Sequence, residues 1–306
     1  MKLKDLGEFG LIERIKEILN SSLIGDDSAP VKLGESTLLL TTDTMNEGVH
    51  FLKDWPSESI GWKAISVNVS DVVANGGEPL WVLISLSTPP ELEAKFVERL
   101  YIGIKKACEF YNCEVVGGNI SKLEKISISV ALVGKTQRFV GRFGAKPGDS
   151  LFVSGTLGDA RAGLELLLMK KEHYEPFELA LIERFLRPTA RIDYAKHIVK
   201  YANASIDISD GLVADAYHLS KRSKVRIEID SSKLPISQEL SAFCEKYGKN
   251  PVEYALFGGE DYQLLFTHPK NRLNPFLDMT EIGRVLEGEG VFVDGERVEP
   301  KGWRHF

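Results

Sequence analysis

No run of apolar residues in this chain approaches the ~18 needed to span a bilayer, and the opening MKLKDLGEFGLIERI lacks the apolar core of a secretory signal. The expectation is a cytoplasmic protein with no membrane partner. Cysteine is scarce: Cys108, Cys113 and Cys244 are an odd number, form no CxxC pair and have no histidine at ligand spacing. That argues against a disulfide frame or a zinc site and for free thiols in a reducing compartment. Positive charge is in deficit, with 38 Lys and Arg against 44 Asp and Glu for a net charge of −6, so no overall basic field recruits nucleic acid. The usual ATP loop, GxxxxGK[ST], is missing too. SGTLGDARAGL, Ser154 to Leu164, has glycines at a strand-to-helix turn but no lysine to reach phosphates. Low-complexity tracts and short repeats are also absent.

What remains is an ordinary globular composition, 43% hydrophobic and 27% charged over 306 residues, enough for two domains with real cores. Apolar spacing predicts a first amphipathic helix from Gly7 to Asn20, strands at about Ser36 to Thr42, Leu80 to Ser87 and Lys125 to Lys135, and helices over Glu58 to Ala74 and Glu91 to Tyr111. RFGAKPGDS, Arg142 to Ser150, concentrates Gly, Pro and charge and reads as a linker. Beyond it, strands and helices alternate again: a strand before the GTLGD turn, helices near 174 to 200, ASIDIS, a helix from Gly211, KVRIEID, a helix from Ser237, then YQLLFT. The fold class expected is α/β in both halves, divided at 1–141 and 142–306.

Six short stretches place Asp, Glu or Asn among Gly, Ser and Thr where an apolar element gives way: IGDDSAP (Ile24 to Pro30), TTDTMNEG (Thr41 to Gly48), NVSDVVANGG (Asn68 to Gly77), VVGGNIS (Val115 to Ser121), IDISDGL (Ile206 to Leu212) and FGGEDYQL (Phe257 to Leu264). Each alone could be a turn or a helix cap, and Asp210 ahead of GLVADAYHL has the form of an N-cap. Together they present hard oxygen donors with almost no Cys or clustered His, which suits magnesium, manganese or calcium. No D-x-[DN]-x-[DN]-G-x5-E loop favours calcium. Magnesium, which binds through a few carboxylates plus substrate phosphates, fits scattered single carboxylates best and suggests nucleotide chemistry.

The ordered series GDDSAP, TTDTMNEGVHF, VNVSDVVANGGEP, GGN, RFGAKPGD, VSGTLGDARAGL, DISDGL, LFGGEDYQLLF and terminal KGWRHF resembles the thiamine-monophosphate kinase family, within the aminoimidazole ribonucleotide synthetase superfamily. The resemblance runs from about residue 24 to Phe306. It implies ATP-dependent phosphorylation of thiamine monophosphate to thiamine diphosphate in a homodimer whose N-terminal domains pair, with several Mg2+ ions in the nucleotide cleft. Asp27, Thr41, Thr42, Asp43 and Asp71 resemble the family's N-domain magnesium ligands, and Asp207 and Asp210 its ligands from the second domain. Gly117, Gly118 and Asn119 match its GG(D/N) turn, the glycines toward ATP and Asn119 toward metal. Many relatives carry Asp at that last position, so this chain offers a neutral amide oxygen instead. Tyr101, Arg142 and Ser209 resemble nucleotide contacts; His50, Glu260 and Trp303 resemble contacts to the thiamine phosphate.

Each of these has a plainer reading: His50 as a strand-end histidine, Trp303 as a packing anchor, Tyr101 as core in a helical run, Arg142 as linker charge, Glu260 as a solvated turn. Nothing in the sequence resembles a nucleophile–base–orienter triad. A phosphate monoester acceptor, with a second pKa near 6, needs no general base, so direct in-line attack on the γ-phosphorus of ATP is expected. The rivals are a sister ATP-using enzyme of the same superfamily and a non-catalytic cation- or nucleotide-binding module.

Overall fold

The computed structural model describes residues 3–270 and 277–300. Helix α1 (Leu3–Leu19) is followed by β1 (Ala29–Leu33), β2 (Ser36–Asn46), α2 (Ser57–Ala74), β3 (Glu78–Thr88), α3 (Ala94–Tyr111), β4 (Glu114–Lys122) and β5 (Ser127–Thr136). These strands form one sheet in the order β1-β2-β5-β3-β4, antiparallel except where α3 carries the chain over to pair β3 with β4 in parallel. Period-two alternation puts Val82, Ile84, Leu86, Ile128, Val130 and Leu132 on the face buried under α2 and α3. The other face leaves Leu40, Trp81 and Leu83 exposed, and β4 is an open edge exposed along its whole length.

The second half contains β6 (Ser150–Ser154), α4 (Asp159–Met169), α5 (Pro176–Leu186), α6 (Ala195–Tyr201), β7 (Ala204–Asp207), α7 (Leu212–Ser223), β8 (Arg226–Ile229), α8 (Gln238–Tyr247), α9 (Pro251–Phe257), β9 (Leu264–His268), β10 (Met279–Leu286), β11 (Gly290–Val293) and β12 (Glu296–Val298). Its sheet runs β12-β11-β8-β10-β6-β9-β7. The molecule is thus mixed α/β with two sheets, as the alternation implied.

Helix α2 joins the halves. SESIGWKAISVNVSDVVA is apolar or small nearly all round, the pattern of a helix buried on every side. One core accordingly runs from the first sheet through α2 to Phe152, Tyr194 and Phe266 of the second half. Polar bonds cross the same seam: Trp62 Nε1 donates to the Pro188 carbonyl at 2.8 Å, and the Ala190 N–H donates to Tyr111 Oη at 2.9 Å. Small residues let α3 approach α2 closely. A Cβ on Gly61 would lie 2.1 Å from the Leu100 carbonyl oxygen, and one on Gly103 1.9 Å from that of Glu58.

Three stretches read as turns lie inside regular elements. Thr41 to Asn46 continue β2, because the backbone stays paired with β5 from Thr37 to Asn46, with Asp43 opposite Val130. Asn68 to Ala74 are the last turns of α2, and VVGGNIS lies in β4, where parallel pairing with β3 along one side carries the strand through two glycines. The strands β1 and β10 to β12 have no counterpart in the sequence reading. Gly211 rather than Asp210 caps α7, and it makes no side-chain cap bond.

The close approach of α2 and α3 predicts that Gly103→Ala destabilises the fold by about 1–3 kcal/mol, although alanine is the better helix former by about 1 kcal/mol. Urea unfolding monitored by circular dichroism checks this; unchanged or raised stability would show that the helices are not in backbone contact there.

Candidate active site

At the seam a cavity of about 710 Å³ opens between the two halves. Several pieces of chain reach it. The second half of β2 brings Thr41, Thr42 and Asp43. Residues four apart on α2, Lys63, Val67 and Asp71, form a stripe along one wall. The end of β7 and the loop beyond it bring Asp207, Ser209 and Asp210, and the turn after α9 brings Glu260. Asp27, His50 and Arg142 complete the lining drawn from the sequence.

Asp27, Asp71 and Asp207 converge so that one carboxylate oxygen from each lies within 4.8 Å of the others. They come from a loop, a helix and a strand end in both halves of the chain, and neighbours hold two of them in orientation. Thr41 Oγ1 donates to Asp71 Oδ2 at 2.6 Å, and Ser70 Oγ to Asp207 Oδ2 at 2.6 Å. Asn68 Oδ1 accepts from the Asp43 N–H at 3.1 Å, so α2 also fixes the strand that carries Asp43.

Burial is the main cause of the site's electrostatics. It pushes the Asp207 carboxyl up to about 8, with repulsion from Asp27 added and the Ser70 bond opposing. Asp71 rises well above the carboxylate range through burial and the charges of Asp43, Asp207 and Asp27. Asp27 is raised by burial despite the Arg142 guanidinium paired with it.

Hard oxygen donors of one sign, gathered at this spacing, suit a divalent cation. The buried Asp27 Oδ2 makes no hydrogen bond among the described residues, which leaves an acceptor pointing at nothing in the protein. On these grounds the residues present fit a magnesium-type ion.

Four nominated residues do not reach this cavity from within the same chain. Gly117, Gly118 and Asn119 lie on β4. They occupy the same cross-strand rows as Thr42, Asp43 and Thr44, but three strands away, about 14 Å at ordinary strand spacing. Tyr101 is half-buried on α3 against the first core. Trp303 lies outside the described residues.

The structure also adds residues that sequence reasoning passed over. Asp26, in GDDSAP, accepts from the Arg142 backbone N–H at 3.1 and 3.2 Å and from Asn75 Nδ2 at 3.1 Å, and burial raises it to about 6. It ties the segment after β5 to the acidic loop. Asp215 Oδ2 accepts from the N–H groups of Asp210 and Gly211 at 3.2 and 3.1 Å, holding the loop that carries Asp210. Its position inside α7 gave no sequence signal. His50, already named from the sequence, accepts at Nδ1 from the Asn46 N–H at 3.0 Å.

These shifts fix a pH dependence. Folded Asp207 keeps its proton up to about pH 8 whereas an unfolded aspartate loses it near 3.8, so without a cation this group costs stability increasingly as pH rises between those values. A cation must displace the proton, so its apparent affinity rises by up to about tenfold per pH unit for each proton released. The gain in Tm on adding Mg2+ is therefore larger at about pH 8.5 than at about pH 6. Differential scanning fluorimetry reads it; a gain independent of pH would mean that these carboxylates do not take the ion.

The comparisons with known proteins agree with one another. Residues 25–136 match the family model described as AIR synthase related protein, N-terminal domain. The chain is 75% identical over 306 residues, all of both chains, to the thiamine-monophosphate kinase of Aquifex aeolicus. It is 35% identical to that of Pyrococcus horikoshii, over 97% of this chain and 96% of the other. A solved structure described as AaThiL complexed with AMPPCP and TMP superposes with a TM-score of 0.99 at 75% identity, covering 100% of this chain and 99% of that one. A solved structure of the hydrogenase maturation protein HypE in complex with ATP shares the fold, with a TM-score of 0.71 at 17% identity over 97% of each chain. On sequence over its whole length and on fold, the chain belongs to the thiamine-monophosphate kinase family.

Proposed function

We propose that this protein transfers the γ-phosphoryl group of ATP to thiamine monophosphate, giving thiamine diphosphate, with several Mg2+ ions held at the seam. The observation that carries this is the convergence of Asp27, Asp71 and Asp207 from both halves of a chain 75% identical, end to end, to a protein named thiamine-monophosphate kinase. The pairing of AMPPCP with TMP in a relative supports a cavity that takes a nucleotide and a phosphate ester together. Asn119, Asp43 and Asp210 belong to the same metal-binding set in this reading, and Ser209 and Arg142 to the nucleotide.

When bound, the ions neutralise charge on the transferring phosphoryl group. The chain's part is positioning. Thr41 and Ser70 hold two carboxylates in fixed orientation, Asp26 anchors the loop of Arg142, and Asp215 anchors that of Asp210. A phosphate monoester is largely deprotonated above its second pKa of about 6, so the acceptor oxygen attacks without a general base. His50, Glu260 and Trp303 serve to orient the thiamine end.

The open apolar face of the first sheet and the unpaired edge β4 favour a homodimer through the N-terminal half, within the division 1–141 and 142–306. In this reading Gly117, Gly118, Asn119 and Tyr101, which do not line the cavity of their own chain, serve that of a second copy. Three free cysteines suit the cytoplasm, and no described helix is long and apolar enough to cross a membrane.

Incubation with ATP, Mg2+ and thiamine monophosphate should yield thiamine diphosphate by chromatography, from the monophosphate but not from free thiamine, and not without metal. No product would refute the reading. A phosphorylated protein turning over at the catalytic rate would refute direct transfer.

A further inference from the structure

Lys63 is a charged residue in the middle of the buried helix α2, with its side chain only 4% exposed. It lines the cavity on the same stripe as Asp71, about 12 Å further along the helix axis at 1.5 Å per residue. Its Nζ lies 3.0 Å from Glu260 Oε1 and 3.7 Å from the centroid of the Phe185 ring. Burial pulls the ammonium below its ordinary value, and Glu260 opposes that. The ion pair is close but off hydrogen-bonding geometry, so a buried ammonium is left without an aligned acceptor. A buried ion pair whose only task was to join the two halves could be replaced, both partners together, by apolar side chains at little cost, so joining the halves does not by itself call for a lysine here.

Glu260 is placed with equal constraint. Its backbone is left-handed, with φ of 57°, and it follows Gly259 at φ 83°, where a Cβ would come 2.9 Å from the Ser209 carbonyl oxygen. Its N–H donates to that same carbonyl at 2.7 Å. A non-glycine residue held in this conformation is over-determined by its surroundings, and such positions cluster at ligand sites. Its side chain is 31% exposed and, like Lys63, lines the cavity.

We propose that Lys63 is a positioning residue for the acceptor: from the cavity wall it fixes the Glu260 carboxylate in the cleft, and that carboxylate selects an acceptor carrying a flat cationic ring. Phe185 backs the ammonium and keeps water from its far side. The inference deepens the proposed function and rests on it for the identity of the acceptor. It assigns Lys63 no contact with phosphate.

The test compares Lys63→Met, Lys63→Arg, Glu260→Gln and the double variant Lys63→Met with Glu260→Gln. Each is assayed by varying thiamine monophosphate, or an analogue whose charged ring nitrogen is replaced by carbon, at saturating ATP, and by varying ATP at saturating thiamine monophosphate. Lys63→Met should raise KM for thiamine monophosphate about tenfold or more, leave kcat and the KM for ATP within about twofold, and lessen the preference for the charged ring. Lys63→Arg should restore part of the loss, and the double variant should be no worse than Glu260→Gln alone. Parallel loss of kcat and of both substrates' KM together with Tm, or losses that add in the double variant, would overturn the proposal. Should Lys63→Met fail to fold, Glu260→Gln and Lys63→Arg carry the same comparison. If the native protein turns over nothing, the kinase reading falls by itself. Calorimetric binding of thiamine monophosphate then decides the pair: about tenfold weaker binding by Lys63→Met supports it, and equal binding or none by the native protein overturns it.

Discussion

Carboxylates of one sign, buried together at the seam between two sheets, are the constraint on which the rest of this structure depends. Burial alone disfavours the charged form, and each neighbour of like charge adds to that. Folding by itself would not gather Asp27, Asp71 and Asp207 within 4.8 Å, and the surrounding fold must supply the free energy that keeps them there. It does so through α2, an almost wholly buried helix whose core contacts reach both sheets. The helix contributes Asp71 itself and the polar groups of Asn68 and Ser70 that steady Asp43 and Asp207.

Arg142 shows the same logic from the cationic side. Its guanidinium pairs with Asp27 and its backbone N–H with Asp26, so a cation of the protein partly offsets the acidic cluster. A ligand that brought its own cations would compete for Asp27 and free a guanidinium suited to clamping phosphate with two bonds. Storage of repulsion in the unliganded state and its release on binding are two aspects of one arrangement. In the proposed function, the stability given up at the seam is what a cation would recover on binding.

Much of this was legible in the sequence, for identifiable reasons. Asp27, Asp71 and Asp207 each sit among Ser, Thr or Gly beside an apolar run, a local signature that survives in one dimension. The α/β alternation followed from apolar period and length. A carboxylate between threonines has the look of a strand end, yet pairing with β5 carries the strand past Asp43. The strands β1 and β10 to β12 were not foreseen: APVKL contains a proline and MTEIGRVL has no clean alternation. The offset of Gly117, Gly118 and Asn119 from the cleft depends on strand order, which periodicity cannot supply. Lys63 gave no signal either, since an isolated lysine in an apolar helix does not reveal which distant carboxylate it meets.

The central claim is that both halves of the chain share one cation site, and anomalous scattering from crystals grown with Mn2+ and an ATP analogue tests it most directly. The account predicts a peak at ordinary ligand distance, about 2.0–2.3 Å, from oxygens of Asp27, Asp71 and Asp207 together. A peak on the carboxylates of one half alone, or none at the seam with the nucleotide bound, would contradict it.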